Sequence, residues 1–443
     1  MHLEKKRVNK KLYITFFESQ IIRSFLNAEN SDFTFILAQE FDIKIITSSE
    51  LDSIVQTSID NLNLRKQVEI FTFNSYRDSF ISRATSFLLY WLNESPTIEL
   101  KVNRFKPGIK RSTISVLRFL INGSAAIRRF LVGVLRSIFW KSISESKLRQ
   151  GFESNLKITS EDLLFVTSLT NFWQDVPVAV FFKKHKAKIV GTVRSWDNLT
   201  SHGYLRIIPN KFISHSEIMS TYASYYQHIS PGNNVLGVTP VYQDFIRKKW
   251  GKNPLKRRNI SYMCMGLHIN PDERDFIHWL IQEMKVLNRS VNFTIVQHPK
   301  FRVDFNSKIL DFDVDSIVFE YTNSNLLDYY EFLASQDLIL CGGTTAALDG
   351  VFVGVTVLGI NFEIKERNKF VSALRYFDTL IHTKNFFKVC KVPTVRSKEE
   401  LLSALSDFNQ IPKFDDSMII KFTGDSKINF SKLLSGVLKT LID

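Results

Sequence analysis

Trp196, Asp197 and Asn198 stand side by side in the segment GTVRSWDNLTSHG, which spans Gly191–Gly203. The segment follows an apolar run typical of a strand, so these polar residues fall at a strand end. An aspartate there can take the proton of an attacking hydroxyl, a tryptophan can stack on a sugar ring, and an asparagine can bind a sugar or phosphate oxygen. Asp and Asn also stabilise turns by bonding to nearby backbone. Asp197 therefore has three open interpretations: general base, ligand-positioning residue or turn residue.

The segment Leu338–Gly359, LILCGGTTAALDGVFVGVTVLG, joins a buried strand to a helix through a turn of glycines and threonines. Glycines let the backbone approach a ligand closely, and the free N–H groups at a helix start attract an anion. The spacing matches neither a Walker loop nor GxGxxG, and the same turn also occurs as a plain connection. We interpret Gly343, Thr344 and Thr345 as candidate phosphate-binding residues.

A histidine ends another apolar run, FTIVQHPK, which spans Phe293–Lys300. A proline follows His298 and restricts the backbone, and Lys300 adds positive charge. Both side chains can bind a phosphate oxygen, although an isolated His-Pro pair is also typical of a solvated strand end. The histidine and the glycine-threonine turn lie about 45 residues apart, as alternate strand–helix units of a nucleotide-binding sheet would place them.

At 443 residues the chain is too long for one ordinary domain, so we expect two. Apolar runs alternate with stretches of helical spacing in both halves, which predicts an α/β architecture of doubly wound parallel sheets. We place the N-terminal domain at residues 1–250, with a helical basic insertion at about 55–155, and the C-terminal domain at residues 251–443.

The sequence predicts twelve strands and two well-marked helices. The helices are Pro271–Asn288, which has acidic residues in its first turn, and a helix opened by the capping box Ser397-x-x-Glu400. The strands are Leu12–Phe17, Phe33–Leu37, Asp42–Ile46, Leu163–Thr167, Val178–Phe182, Lys188–Val193, Val235–Val238, Ile260–Met265, Phe293–Gln297, Ile317–Phe319, Leu338–Cys341 and Thr356–Gly359.

Positive charge is concentrated between Lys101 and Gln150, which hold twelve lysines and arginines and the single acid Glu145. This segment includes the apolar stretch Val116–Trp140, which four arginines interrupt: Arg118, Arg128, Arg129 and Arg136. Four arginines argue against a spanning helix and favour an amphipathic helix on an anionic membrane surface. The alternative is a helical insertion packed on the domain, with its arginines reaching water. Nucleic-acid binding is the weaker third reading, because no matching motif accompanies the charge.

The order of four motifs resembles that in the two-domain glycosyltransferases of the GT-B class. The motifs are SWDNLTSHG, VLGVTPVYQDF, QHPK and CGGTTAALDGVFVGVTVLG, and the resemblance covers roughly residues 175–365. The chain looks most similar to bacterial surface-polysaccharide enzymes related to sialic-acid and Kdo transferases. It is more distantly similar to the glycerophosphotransferases of teichoic-acid synthesis. It departs from the pattern at Gln297, where relatives often have Arg, and at Thr344-Thr345, where they usually have Ser.

The resemblance implies two Rossmann-like domains facing a cleft, with a nucleotide-sugar donor in the C-terminal domain and the acceptor in the N-terminal domain. By this likeness His298, Thr344 and Thr345 match donor-site positions, and a CMP-sugar is slightly favoured as the donor. The acceptor of such enzymes is a surface glycan or a lipid-linked glycan, which a membrane-surface helix would suit.

The transfer reaction needs a base and a way to stabilise the departing phosphate. Helix N-termini and cations can stabilise the phosphate, so we expect no cofactor and no metal ion. Asp311 and Asp313 have the spacing of a metal motif, but a solvated loop is the better interpretation. Asp197 is the leading candidate base and Glu18, at the end of the first strand, is the second. Trp196, Asn198 and His202 are the candidate sugar- and acceptor-binding residues.

Two other functions stay open: a CDP-alcohol glycerophosphotransferase and a non-catalytic protein that binds nucleotide sugars or glycans. A sugar epimerase would share the architecture. The three cysteines, Cys264, Cys341 and Cys390, are an odd number in apolar runs, which predicts buried thiols in a reducing compartment. We see no signal peptide and expect a cytoplasmic protein, peripheral on the inner face of the cytoplasmic membrane.

Overall fold

A computed structural model gives the structure of most of the chain. It describes residues 10–26, 32–74, 76, 79–105, 123–153, 156–238, 259–266, 269–287, 291–298, 317–319, 326–343, 345–366, 372–407, 410–412, 414–425 and 427–442.

Seven parallel strands form the first sheet, in the order β3-β2-β1-β4-β5-β6-β7. These strands are β1 Lys11–Phe16, β2 Asp42–Thr47, β3 Val68–Thr72, β4 Leu163–Val166, β5 Lys188–Gly191, β6 Lys211–Ser214 and β7 Asn234–Leu236.

Six parallel strands form the second sheet, in the order β10-β9-β8-β11-β12-β13. These strands are β8 Asn259–Met263, β9 Asn292–Val296, β10 Ile317–Phe319, β11 Leu338–Cys341, β12 Thr356–Ile360 and β13 Thr394–Val395.

Both sheets have the strand order of a doubly wound fold. The chain starts in the middle of each sheet, builds outward to one edge, and then crosses back to build the other half. The order therefore reverses between β1 and β4 in the first sheet and between β8 and β11 in the second. The predicted α/β architecture of two Rossmann-like sheets is confirmed.

The connections between strands contain the helices. In chain order they are α1 Ser19–Phe25, α2 Asp32–Glu40, α3 Asp52–Asn61, α4 Phe80–Trp91, α5 Pro96–Phe105, α6 Ala125–Ser142, α7 Glu145–Gly151, α8 Asp175–Lys184, α9 Asn198–Ser201, α10 Glu217–Gln227, α11 Glu273–Val286, α12 Leu326–Ala334, α13 Thr345–Phe352, α14 Arg375–Asp378, α15 Ile381–Val389, α16 Lys398–Ser406, α17 Asp416–Thr423 and α18 Phe430–Lys439.

Ten of the twelve predicted strands are present, and two are helices instead. Phe33–Leu37 lies in α2 and Val178–Phe182 lies in α8. Every residue of α8 from Asp175 to Phe182 is buried, so its sequence is apolar on all sides and lacks helical alternation. A short, fully buried helix cannot be told from a buried strand by periodicity alone.

Three strands were missed, and one of them changes the boundary of the predicted insertion. The missed strands β3, β6 and β13 are short, and β3 carries the charged Glu69 as its second residue. Because β3 belongs to the sheet, the helical segment begins only after Thr72 rather than near residue 55. It is the crossover that connects β3 to β4.

The chain forms two compact units, which differ from the predicted domains at the C-terminus. The first unit comprises Met1–Val102, Lys106–Asp244 and Ile420–Asp443, and the second comprises Asn103–Phe105 and Phe245–Ile419. The prediction that residues 251–443 form one domain is therefore wrong for residues 420–443.

The apolar face of α18 explains why the chain returns to the first unit. Phe430, Leu434 and Leu438 are buried in the core of the first sheet. The Phe430 ring lies 5.7 Å from Phe25 and 6.1 Å from Phe165, measured between ring centroids. Burial of this face removes large apolar side chains from water, which stabilises the first unit.

All three cysteines are buried free thiols, as predicted. None of the helices in the described ranges is long and apolar enough to cross a membrane.

Replacing Phe430 with Ala should destabilise the first unit by about 3–5 kcal/mol, because it leaves a cavity among packed aromatic rings. The matched control is Val286→Ala on α11, whose side chain is exposed and should change stability by less than about 0.5 kcal/mol. Urea unfolding of both variants measures the effect. Equal midpoints for the two variants would contradict the packing of α18 in this core.

Candidate functional site

Glu18 and Arg194 form an ion pair at the carboxyl edge of the first sheet. Glu18 follows β1 closely, and Arg194 stands three residues after the end of β5. The guanidinium of Arg194 donates to the carboxylate of Glu18, and both side chains are partly exposed. This edge lies beside the point between β1 and β4 where the strand order reverses, and open α/β sheets bind their ligands at such points.

A second carboxyl group, that of Asp175, is fully buried beside β1 and β4. The hydroxyl of Thr15 donates to it, and Thr15 in turn accepts from the backbone N–H of Thr167 at 3.2 Å. Burial raises the pKa of Asp175 well above its usual range. The group ties α8 to the ends of β1 and β4, and sequence reasoning missed it because Asp175 stands just before an apolar run that was interpreted as a strand.

Asp197 is half-buried at the start of the one-turn helix α9. Its backbone oxygen accepts from the N–H and the hydroxyl of Thr200 at 3.0 and 2.9 Å. Its carboxylate accepts from the hydroxyl of Ser201 at 2.9 Å. These bonds are those of a turn residue, and they occupy part of the carboxylate that the sequence nominated as the leading base.

The structure corrects the roles predicted for Trp196 and Asn198. Trp196 is only 7% exposed and packs edge-to-face on Phe422, with ring centroids 6.0 Å apart, so it cannot offer a face for sugar stacking. Asn198 is only 3% exposed, and its side-chain oxygen accepts from the Ser195 N–H at 3.0 Å and the Thr170 hydroxyl at 3.2 Å. Both residues fix the loop instead of presenting it to a ligand.

His202 and Lys101 lie close to Asp197. Burial lowers the pKa of His202 to about 4, with the negative charge of Asp197 acting in the opposite direction, so the imidazole is neutral at pH 7. Burial also lowers the pKa of Lys101, again opposed by Asp197, and its ammonium donates to the Ser201 carbonyl at 3.2 Å. Lys101 was missed because it appeared in the sequence only as part of a basic run.

In the second unit, Gly342 and Gly343 stand directly after β11, where the strand order reverses. A Cβ atom at Gly342 would lie 2.1 Å from the sulfur of Met265, which follows β8. Only glycine therefore lets the ends of these two strands approach so closely. A small pocket at this point is lined by side chains from several elements, including Tyr262, Met265, Phe362 and Phe377.

Glu273 holds the loop after β8 in place. Its carboxylate accepts hydrogen bonds from the backbone N–H of Met265 and from the backbone N–H of Gly266, the latter at 2.6 Å. It also accepts one from the hydroxyl of Tyr262 at 3.0 Å. Burial raises the pKa of Glu273 to about 7, and these donors act in the opposite direction. In the sequence Glu273 is one of the acidic residues in the first turn of a helix, and this pattern does not predict that its carboxylate points into the protein.

The remaining donor candidates are partly described. His298 is half-buried two residues after β9, the neighbour of β8, and Thr345 is exposed as the first residue of α13. Lys300 and Thr344 lie outside the described residues, as do Asp311 and Asp313. The donor roles of all these residues stay predictions.

Two of the arginines predicted to contact a membrane point into the first unit. Arg128 is buried and pairs with Glu94 at 2.6 Å, and Arg136 donates to the backbone oxygens of Leu205 at 2.8 Å and Gln227 at 3.0 Å. Buried guanidinium groups need such acceptors, and here the protein supplies them. Arg129 is exposed, and Arg118 lies outside the described residues.

No protein-family profile matches this chain, and no curated protein matches it. A solved structure described as a UDP-N-acetylglucosamine 2-epimerase from Listeria monocytogenes aligns with 98% of this chain and 97% of its own, with 8% identity and a TM-score of 0.50. The UDP-GlcNAc 2-epimerase of Methanocaldococcus jannaschii aligns with 97% of this chain and 99% of its own, at 12% identity and a TM-score of 0.49. A solved structure of a glycosyltransferase from Rickettsia africae aligns with 98% of this chain and 99% of its own, at 11% identity and a TM-score of 0.42.

The Listeria structure and the two strand orders together define the class of fold. The chain has two Rossmann-like units of the GT-B type, which is the fold part of the resemblance seen in the sequence. At this level of identity the likeness concerns the fold alone.

The stability of the second unit should fall as pH rises from 4.5 to 7, because the folded protein keeps the Glu273 proton that the unfolded chain has already released. One such proton gives a slope of about 1.4 kcal/mol per pH unit. Asp349 of the same unit is also buried with its pKa raised to about 7, so Glu273→Gln should lower the slope by this amount without abolishing it. Glu331→Gln, at an exposed site on α12, should leave the slope unchanged. Urea midpoints across this pH range measure the slopes, and identical slopes for wild type and Glu273→Gln would show that the buried carboxyl does not titrate there.

Proposed function

We propose that the protein is a glycosyltransferase that moves a sugar from a nucleotide-sugar donor to a surface-glycan or lipid-linked acceptor, without a bound metal ion. The observation that carries the proposal is the reversal point of the second sheet, where two glycines and the start of α13 follow β11. Backbone N–H groups at a helix start favour the diphosphate or phosphate of a nucleotide. The resemblance to sialic-acid and Kdo transferases favours a CMP-sugar as the donor.

The donor contacts are assigned to the second unit. The N–H groups at the start of α13 and the hydroxyls of Thr344 and Thr345 bind the phosphate, and the imidazole of His298 donates to one of its oxygens. These groups stabilise the negative charge that builds up on the leaving phosphate as the bond to the sugar breaks. Glu273 acts as a positioning residue, because it fixes the loop that follows the neighbouring strand β8.

The acceptor and the base are assigned to the first unit, and here we prefer Glu18 to Asp197. Glu18 is partly exposed at the reversal point of the first sheet, whereas the carboxylate of Asp197 already accepts from Ser201 within its own turn. Glu18 takes the proton of the acceptor hydroxyl as that oxygen bonds to the anomeric carbon of the donor. Arg194 then serves to orient the carboxylate.

Nucleotide binding tests the donor assignment. Among CMP, CDP, UDP and GDP, CMP should raise the melting temperature most, because a ligand that binds only the native state stabilises it. In His298→Ala, roughly tenfold more nucleotide should be needed for the same rise in melting temperature, because one charge-assisted hydrogen bond is lost. The matched control is His185→Ala in the first unit, which should keep the full effect.

The four nucleotides also separate the competing functions. A response to CDP would favour a transferase of an alcohol phosphate. A response to UDP, together with conversion of a UDP-sugar to its epimer in the absence of any acceptor, would favour an epimerase. Failure of all four nucleotides to bind would contradict the donor site.

Paired substitutions test the base. Glu18→Gln should lower the rate of transfer by roughly 10²–10⁴-fold while the nucleotide-induced shift in melting temperature stays unchanged. Asp197→Asn should retain most of the activity, because the amide can still accept from Ser201. The reverse result would move the base to Asp197, and full activity in both variants would overturn the assignment of the base to the first unit.

A further inference from the structure

Helix α4 exposes a group of large apolar side chains on the surface of the first unit. Its large apolar side chains Phe80, Ile81, Phe87 and Leu88 are exposed, and Phe80 is 79% exposed. Its small polar residues face the protein: Ser82 and Thr85 are buried, and they bond to the carbonyl oxygens of the preceding turn. Leu89 and Trp91 of the same helix are buried, so α4 has both buried and exposed apolar side chains, whereas the outer face of a surface helix is normally polar or charged.

Helix α6 likewise exposes apolar side chains, while two of its arginines point into the protein. Arg128 and Arg136 point inward to Glu94 and to backbone oxygens, while Ile127, Phe130, Val134 and Ile138 are exposed. Phe130 is 69% exposed. Each helix therefore exposes four large apolar side chains, while the polar or charged side chains that it buries are bonded by the protein and lie beside apolar ones such as Leu89 and Val132.

The two helices belong to one layer of the first unit. They pack against each other, and Leu89, Val132 and Tyr204 are buried in a small core that they share. We call their eight exposed apolar side chains, four on each helix, the outer apolar face. Large exposed apolar patches on soluble proteins mark contacts with another protein or with a membrane.

The charges beside the face decide between these partners. Neither helix contains an acidic residue, and Arg83, Arg129 and Lys141 are exposed on them. A second copy of the chain would bring the same cations against these cations. An anionic lipid surface instead offers phosphate groups for the cations and an acyl boundary for the phenylalanines and isoleucines.

We propose that the outer apolar face inserts into the surface of a membrane that contains anionic lipid, with Arg83, Arg129 and Lys141 contacting lipid headgroups. This inference does not depend on the proposed enzymatic function. It replaces the sequence-based hypothesis of contact through Arg128 and Arg136, because those two arginines hold the helix to the protein.

Flotation with vesicles tests the proposal on the full chain. Wild type should bind vesicles of phosphatidylcholine mixed with phosphatidylglycerol and bind phosphatidylcholine vesicles more weakly. The double variant Phe80→Ser, Phe130→Ser should lose binding by on the order of tenfold or more, because two aromatic rings no longer enter the lipid. Arg129→Gln should lose roughly fivefold, and only on the anionic vesicles.

The control is Val286→Ser, which removes an exposed apolar side chain of the second unit and should leave vesicle binding unchanged. Melting temperatures of all variants establish that they are folded, since each altered side chain is exposed. The proposal is overturned if wild type does not bind anionic vesicles or if the double variant binds as well as wild type. It is also overturned if wild type sediments as a dimer that the double variant converts to a monomer, because the face would then be an interface between copies.

Discussion

Parallel pairing is the constraint on which both units depend. Every strand of the two sheets pairs in parallel, so each strand must be followed by a connection that crosses a face of the sheet before the next begins. Starting in the middle and building outward twice leaves one place per sheet where neighbouring connections diverge. In the first sheet this place lies between β1 and β4, where Glu18 stands. In the second sheet it lies between β8 and β11, where Gly342 and Gly343 stand.

The crossover from β3 to β4 has become a layer of its own around a small apolar core, and buried polar groups join the layer and its neighbouring loops. Arg206 donates to the hydroxyl and the carbonyl of Ser86 at 3.0 and 2.9 Å, and Gln227 donates to the carbonyls of Leu199 and Gly203 at 2.6 and 2.9 Å. Buried groups of this kind must be bonded, and a bonded network fixes one arrangement of the helices.

The sequence predicted the fold well because strand and helix signals alternate along the chain, and ten of twelve predicted strands are present. It failed at α2, at α8, where every residue from Asp175 to Phe182 is buried, and at β3, whose pattern is broken by Glu69. The site was harder to predict, because the type of a residue does not show which way its side chain points. Trp196 and Asn198 point inward. Glu273 accepts bonds from the loop before its own helix, and Asp175 accepts a bond from Thr15 of β1, which is distant in the sequence. The donor assignments at His298 and Thr345 stay predictions.

The segment GTVRSWDNLTSHG is fixed at its end by the crossover layer. Gly203 has a φ of +77°, and a Cβ atom there would lie 2.5 Å from the Cα of Tyr90 on α4. The segment and α4 therefore meet backbone to backbone, without side chains between them that could absorb a shift. Lys101 on α5 adds a bond to Ser201 in the same segment. The basic helical segment and the polar loop, which look unrelated in the sequence, are therefore in direct contact in the structure.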